Sequence, residues 1–94
     1  MTIIVKFIGS LRNYFGENKT TVDYENDISI KELIYLIINK KPIIKEILIS
    51  PQNGEFRLNS LVLVNGVEIS VLNGLETKLS HGDKITLIPV IHGG

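Results

Sequence analysis

The sequence predicts an α+β domain, a mixed sheet with one main helix packed across one face. Three observations lead there. The chain opens on an alternating run, Thr2 to Ile8, and closes on another, Lys84 to Val90. Between them lies one strongly amphipathic helix with its own start and stop signals. After Pro51 only strands and turns can be read, whereas a ferredoxin-like split βαβ plan would need a second full helix there.

In the opening run, Ile3, Val5 and Phe7 share one face, and Ile4, Lys6 and Ile8 share the other. Gly9 to Gly16 is a connector with a helical turn around Leu11, Tyr14 and Phe15. Lys19 to Glu25 alternates again, which makes a hairpin with a loose turn. Ser29 and Glu32 are spaced as a capping box, and Ile30, Leu33, Ile34, Ile37 and Ile38 form one apolar stripe behind it. Lys40 and Lys41 suit the negative end of the helix dipole, and Pro42 stops the helix. A short second helix is expected from Pro42 to Leu48, then a turn at Pro51-Gln52-Asn53-Gly54. Leu61 to Val64 is a continuous apolar run fit for a buried strand, and Asn65-Gly66 turns it into a strand from Val67 to Val71. In the closing strand Ile85 and Leu87 face one side, with Lys84, Thr86 and Ile88 on the other. A right-handed crossover would lay this strand parallel to the first, in the middle of the sheet. That order is the β-grasp, or ubiquitin-like, arrangement. It divides the chain into a domain at 1–91 and a flexible diglycine tail at 92–94.

Composition excludes several functions. The 94 residues carry 10 Lys+Arg against 10 Asp+Glu, so a positive field for non-specific nucleic-acid binding is missing. The absence of cysteine removes disulfides, thiolate metal sites and thiol nucleophiles. His81 and His92, without cysteine or clustered carboxylates, make no metal site. The start, Met1 to Lys6, lacks the layout of a secretory signal, and no apolar span is long enough to cross a bilayer. A cytoplasmic protein without a membrane role is expected.

The end of the chain is the most informative stretch: Ile88-Pro89-Val90-Ile91-His92-Gly93-Gly94. Two terminal glycines arise by chance in roughly 0.5% of chains. A frayed end would explain their flexibility, but not why a strand leads into them without a spacer. A tail without Cβ atoms can thread a narrow channel, and its carboxylate is open to attack.

Val64-Asn65-Gly66, then Asn73-Gly74-Leu75 with Thr77 and Leu79, then Gly82-Asp83, Pro89 and Gly93-Gly94 carry a resemblance. With Leu11-Arg12 and Gly16 added, the chain resembles the small subunit of molybdopterin synthase over nearly its whole length. That is the MoaD-like branch of the ubiquitin-like sulfur carriers. The resemblance implies that an ATP- and Mg-dependent activating enzyme adenylates Gly94, and that a sulfur donor enzyme converts it to a thiocarboxylate. Gly93 is then the slender neck, and the tail enters a synthase large subunit, in a heterotetramer, to deliver sulfur for molybdenum or tungsten cofactor. The carrier would bind no cofactor itself, contact no nucleic acid, and catalyse nothing alone.

The tail departs from that branch. Pro89 stands alone where two prolines are usual, and His92 replaces a small residue. A histidine before the diglycine resembles the ubiquitin-related modifier family, whose thiocarboxylates serve tRNA thiolation and can be joined to lysines. This is the alternative reading. A thiamin-pathway carrier ranks third, and an inert ubiquitin-like binding module comes from a different class.

The sheet pattern suggests where a partner would dock. With Phe7 and Leu87 under the helix, Ile8 and Ile88 would form an apolar patch on the opposite face, beside Ile91, His92 and Gly93 of the exit. Other charged residues read as ordinary surface. Lys40, Lys41 and Lys45 form a solvated helix end, and Asp23, Glu25 and Asp27 are loop charges.

Overall fold

A computed structural model describes residues 1–52 and 55–90. Strand β1 (Thr2–Phe7) leads through helix α1 (Ser10–Phe15) to β2 (Lys19–Asp23) and the main helix α2 (Ile30–Lys40). A 3-10 turn (Pro42–Ile44) and α3 (Lys45–Leu48) follow, then β3 (Ile49–Gln52) and β4 (Glu55–Leu58). Strand β5 (Ser60–Val64), a two-residue β6 (Val67–Glu68), two further 3-10 turns and β7 (Lys84–Pro89) complete the order. The five-stranded sheet runs β2-β1-β7-β5-β6. Strand β7 is central and parallel to β1, with Val5 opposite Ile85 and Phe7 opposite Leu87. This is the β-grasp plan that the sequence order predicts.

Helix α2 forms because its first turn is capped at both ends of one hydrogen-bond pair. Glu32 N–H donates to Ser29 Oγ at 3.3 Å, and Ser29 N–H donates to Glu32 Oε1 at 3.2 Å. Its stripe of Ile30, Leu33, Ile34, Ile37 and Ile38 is buried against the inward residues of the sheet. Those include Ile3, Val5, Phe7, Val62, Ile85 and Leu87, each no more than 1% exposed. At roughly 1.5–3 kcal/mol for each large aliphatic side chain, this interface dominates the stability of the domain. Phe7 and Phe15 stack at 4.2 Å between ring centroids, which ties α1 to the sheet.

Three expectations need correction. Pro51 and Gln52 are not a turn: they belong to β3, which pairs antiparallel with β4 in a separate two-stranded ribbon. Proline is tolerated there because such a strand has a free edge; Asn53 and Gly54 lie outside the described residues. The strand expected to Val71 ends at Glu68, because the Glu68 carboxylate caps the following 3-10 turn by accepting from Ser70 N–H. The run Leu61 to Val64 is not continuously buried: Leu61 is exposed and Leu63 half-buried, alternating with buried Val62 and Val64. One face of this sheet is open.

Candidate functional site

The open face is built by the outward residues of β1, β7 and β5. Ile4 stands opposite Lys84, Lys6 opposite Thr86, Leu63 opposite Thr86 and Leu61 opposite Ile88. Ile8 continues β1 beside β7, its N–H donating to Leu87 O at 3.0 Å. Ile8 and Ile88 are therefore brought together on the face away from α2, as the alternation predicts. Both are half-buried. The exposed apolar surface here is supplied by Leu61, 44% exposed, and Val90, 41% exposed. Neither was expected; the signal for Leu61 was the period-two alternation within Ser60–Val64, masked by four consecutive apolar residues.

The root of the tail is held firmly. Val90 N–H donates to Asn59 O at 3.0 Å, and Asn59 N–H donates to Leu48 O at 2.8 Å. On the other side of β7, Gly9 sits at φ +63°, and a Cβ there would lie 3.4 Å from Pro89 Cγ. The positive φ favours glycine at this position, while the Pro89 ring would be in ordinary van der Waals contact with a Cβ. Ile91, His92, Gly93 and Gly94, and the 92–94 tail boundary, lie outside the described residues.

Polar residues elsewhere are engaged structurally. His81 lies in a turn, where its Nδ1 accepts the Thr2 N–H at 3.0 Å. Asp23 accepts from Thr2 Oγ1 at 2.7 Å. Lys40 is more than a solvated helix end, since its Nζ donates to Thr21 O at 3.1 Å. Burial, then the nearby Asp83 and Asp27 charges, raise the Tyr24 phenol above its ordinary value. Hydrogen bonds from Ser70 hold the Glu68 carboxyl below its own. Among the described residues no group of three or more His, Cys, Asp and Glu could hold a metal ion. No helix among them is long and apolar enough to cross a membrane.

What the described residues show is a central strand, β7, that ends at the margin of a partly apolar face. The family model for the ubiquitin-related modifier, Urm1, matches residues 2–94, which includes the diglycine end. The chain belongs to the Urm1 family. This places it among the ubiquitin-like sulfur carriers and modifiers. SAMP1 (small archaeal modifier protein 1) of Haloferax volcanii superposes with a TM-score of 0.83 at 21% identity, covering 100% of both chains. Urm1 of Trypanosoma brucei gives a TM-score of 0.77 at 27% identity, over 99% of this chain and 95% of that one. A Pyrococcus furiosus protein assigned as molybdopterin converting factor subunit 1 gives 0.78 at 18% identity, over 97% and 99%. No curated protein matches the chain. The Urm1 family and these neighbours share the β-grasp fold, so the fold alone does not divide modifier from synthase subunit.

Proposed function

We propose that this chain is a sulfur carrier of the ubiquitin-related modifier type, with the Gly94 carboxylate as its working group. The observation that carries the reading is a Urm1 family match that runs through His92-Gly93-Gly94 to the last residue. A carboxylate is a poor electrophile. Attack of its oxygen on the α-phosphate of ATP would expel pyrophosphate and leave an acyl adenylate. The outer sulfur of a persulfide on a donor protein would then add to the carbonyl and expel AMP. A protein thiol would cleave the resulting acyl disulfide to a thiocarboxylate and a protein disulfide, so that feasible steps replace one hard one. The chain has no cysteine, so the sulfur must arrive from a partner. An ATP- and Mg-dependent activating enzyme would hold the nucleotide. Docking would use the face of Ile8, Ile88, Leu61 and Val90, from whose edge the tail departs. The sulfur would go to tRNA thiolation, or the activated glycine to lysine side chains.

A second reading is the molybdopterin synthase small subunit. It is favoured by the set Val64-Asn65-Gly66, Asn73-Gly74-Leu75, Gly82-Asp83 and Pro89, and would place the tail in a large subunit. The test is purification of the N-terminally tagged chain from its own cells, with mass spectrometry before and after denaturation. Adducts that survive denaturation, with Gly94 joined to lysines, are the expected result for a modifier. A stoichiometric partner lost on denaturation, with Gly94 as thiocarboxylate, would give the synthase reading instead. An unmodified terminus, and unchanged function after deletion of Gly94, would overturn both.

A further inference from the structure

The open face carries a second feature, at the end away from the tail. Lys6 and Lys19 are directly opposed in the antiparallel β1–β2 register. Lys84 stands opposite Ile4, one residue pair along the same face from Lys6. Like charges directly opposed across a sheet repel, and diagonal neighbours remain within reach of long side chains. All three lysines are exposed. Together with Ile4, Thr86 and Asn65 they line a groove of about 540 Å³ that no acidic residue lines.

The neighbouring carboxylates keep their charge, but their hydrogen bonds run to groups other than these lysines. Asp83 accepts from Asn65 Nδ2 at 3.0 Å and from Ser80 N–H at 2.7 Å, so it is committed to the turns. Asp23 is bonded to Thr2 and Glu68 to Ser70. Glu17 lines an adjacent depression with Lys19 and Ile4. A chain of zero net charge thus concentrates three cations over two rungs of its sheet, at a cost to the free domain.

We infer that this groove receives a carboxylate-bearing segment of a protein partner. Charge complementarity sets the acidic side chains, and continuity sets the class. Lys84 and Ile88 lie four residues apart on one strand, about 13 Å, so an extended segment can meet the lysines and the apolar rows of Leu61 and Ile88 together. A nucleic-acid backbone would leave those apolar rows uncovered. The inference rests on the docking face proposed above and names the chemistry of what docks there.

The test is a titration of the ¹⁵N-labelled full chain with a synthetic Glu-rich peptide carrying a central leucine. Saturable shifts are expected at the amides of Ile4, Lys6, Lys19, Lys84 and Thr86, and should shrink as salt rises from about 50 to about 500 mM. Lys6→Glu with Lys84→Glu should weaken the peptide at least about tenfold, because attraction is replaced by repulsion. Lys6→Glu alone should raise the melting temperature of the free domain, by turning the opposed Lys6–Lys19 pair into one of opposite charge. If the double variant does not fold, Lys6→Gln and the salt series give the same decision. Unmoved groove amides, peptide binding unaffected by charge reversal, or tighter binding of a single-stranded oligonucleotide of equal charge would overturn the inference. Deletion of Gly94 should leave this titration unchanged, so failure here is separable from failure of the sulfur-carrier reading.

Discussion

Leu61 and Ile88 face each other across β5 and β7 on the side of the sheet away from α2. Ile88 lies two residues before Val90, whose N–H is bonded to Asn59. On the proposed reading, an apolar rung so close to the root of the tail is where a partner that receives the tail would press. Replacing Ile8 and Ile88 together by aspartate should abolish binding to the activating enzyme, measured by calorimetry. Both side chains are half-buried, so the fold should survive with a loss of about 1–2 kcal/mol in a denaturant series. Retained binding, or a collapse of the fold, would rule out the patch.

Gly9 and Pro89 couple that rung to the exit. At φ +63° a side chain at position 9 is strained before any contact is counted, and its Cβ would touch Pro89 Cγ at 3.4 Å. Gly9→Ala should cost about 1–2 kcal/mol for the left-handed backbone alone. Its second effect should be local, with amide shifts at Leu87 to Val90 and slower thiocarboxylate formation at Gly94. A stability loss with an unaltered β7 spectrum would show that the contact does not position the tail.

Asn65 makes the turn from β5 into β6 with its backbone at φ 50°. Its amide is used twice: Nδ2 donates to Asp83 Oδ1 at 3.0 Å, and Oδ1 accepts from Lys84 N–H at 2.9 Å. Glycine keeps the backbone and loses the bonds, whereas alanine loses both. The expected order of stability is wild type, then Asn65→Gly lower by about 1 kcal/mol, then Asn65→Ala lower by about 2–3 kcal/mol. Equal losses in the two variants would mean that the side-chain bonds carry the turn alone.

These turns also show how legible the chain was. The Asn65-Gly66 signal, the Ser29/Glu32 box and the alternation of β1 and β7 each rest on local chemistry, and the fold follows them. The ribbon of β3 and β4 was not legible, although Asn53-Gly54 is the same dipeptide as Asn65-Gly66. Glu55-Phe56-Arg57-Leu58 does alternate, but Ser50-Pro51-Gln52 on the other flank is a polar stretch with a proline and does not mark a partner strand. Leu61 was misplaced for the opposite reason. A run of four apolar residues reads as buried on both faces, and only the pairing with β7 shows that its outer side is open. The lysine groove depends on registers between three strands, and no local pattern announces it. The roles proposed for Gly93 and Gly94 come from the sequence alone, since both lie outside the described residues.

Tyr24 has its hydroxyl buried with no hydrogen-bond partner among the described residues. An unpartnered buried hydroxyl costs stability, so Tyr24→Phe should be neutral or stabilising, by up to about 1 kcal/mol. The phenol is raised above 10.0 by burial and then by the Asp83 and Asp27 charges. A raised value means that the folded state holds the proton more tightly. That contribution is complete below pH 10.0 and is lost as pH climbs through the folded value. Melting curves across the alkaline range should therefore fall less steeply for Tyr24→Phe than for wild type. A phenylalanine variant that is less stable at neutral pH would show that the hydroxyl has a partner.

Glu68 gives the opposite limb. Its carboxylate accepts from the Ser70 hydroxyl and backbone N–H, and these bonds hold its value below 4.5. A lowered value means that the unfolded chain binds the proton first. The contribution is complete above pH 4.5 and is lost as pH falls through the folded value. Glu68→Gln keeps an acceptor oxygen for the 3-10 turn but cannot titrate. Between about pH 6 and about pH 3 the melting temperature of this variant should therefore drop less than that of wild type, the other carboxylates contributing equally to both. Parallel curves would mean that the carboxylate is not held in its cap in solution. A separate comparison with Ser70→Ala removes the hydroxyl and leaves the N–H, and should give an intermediate slope.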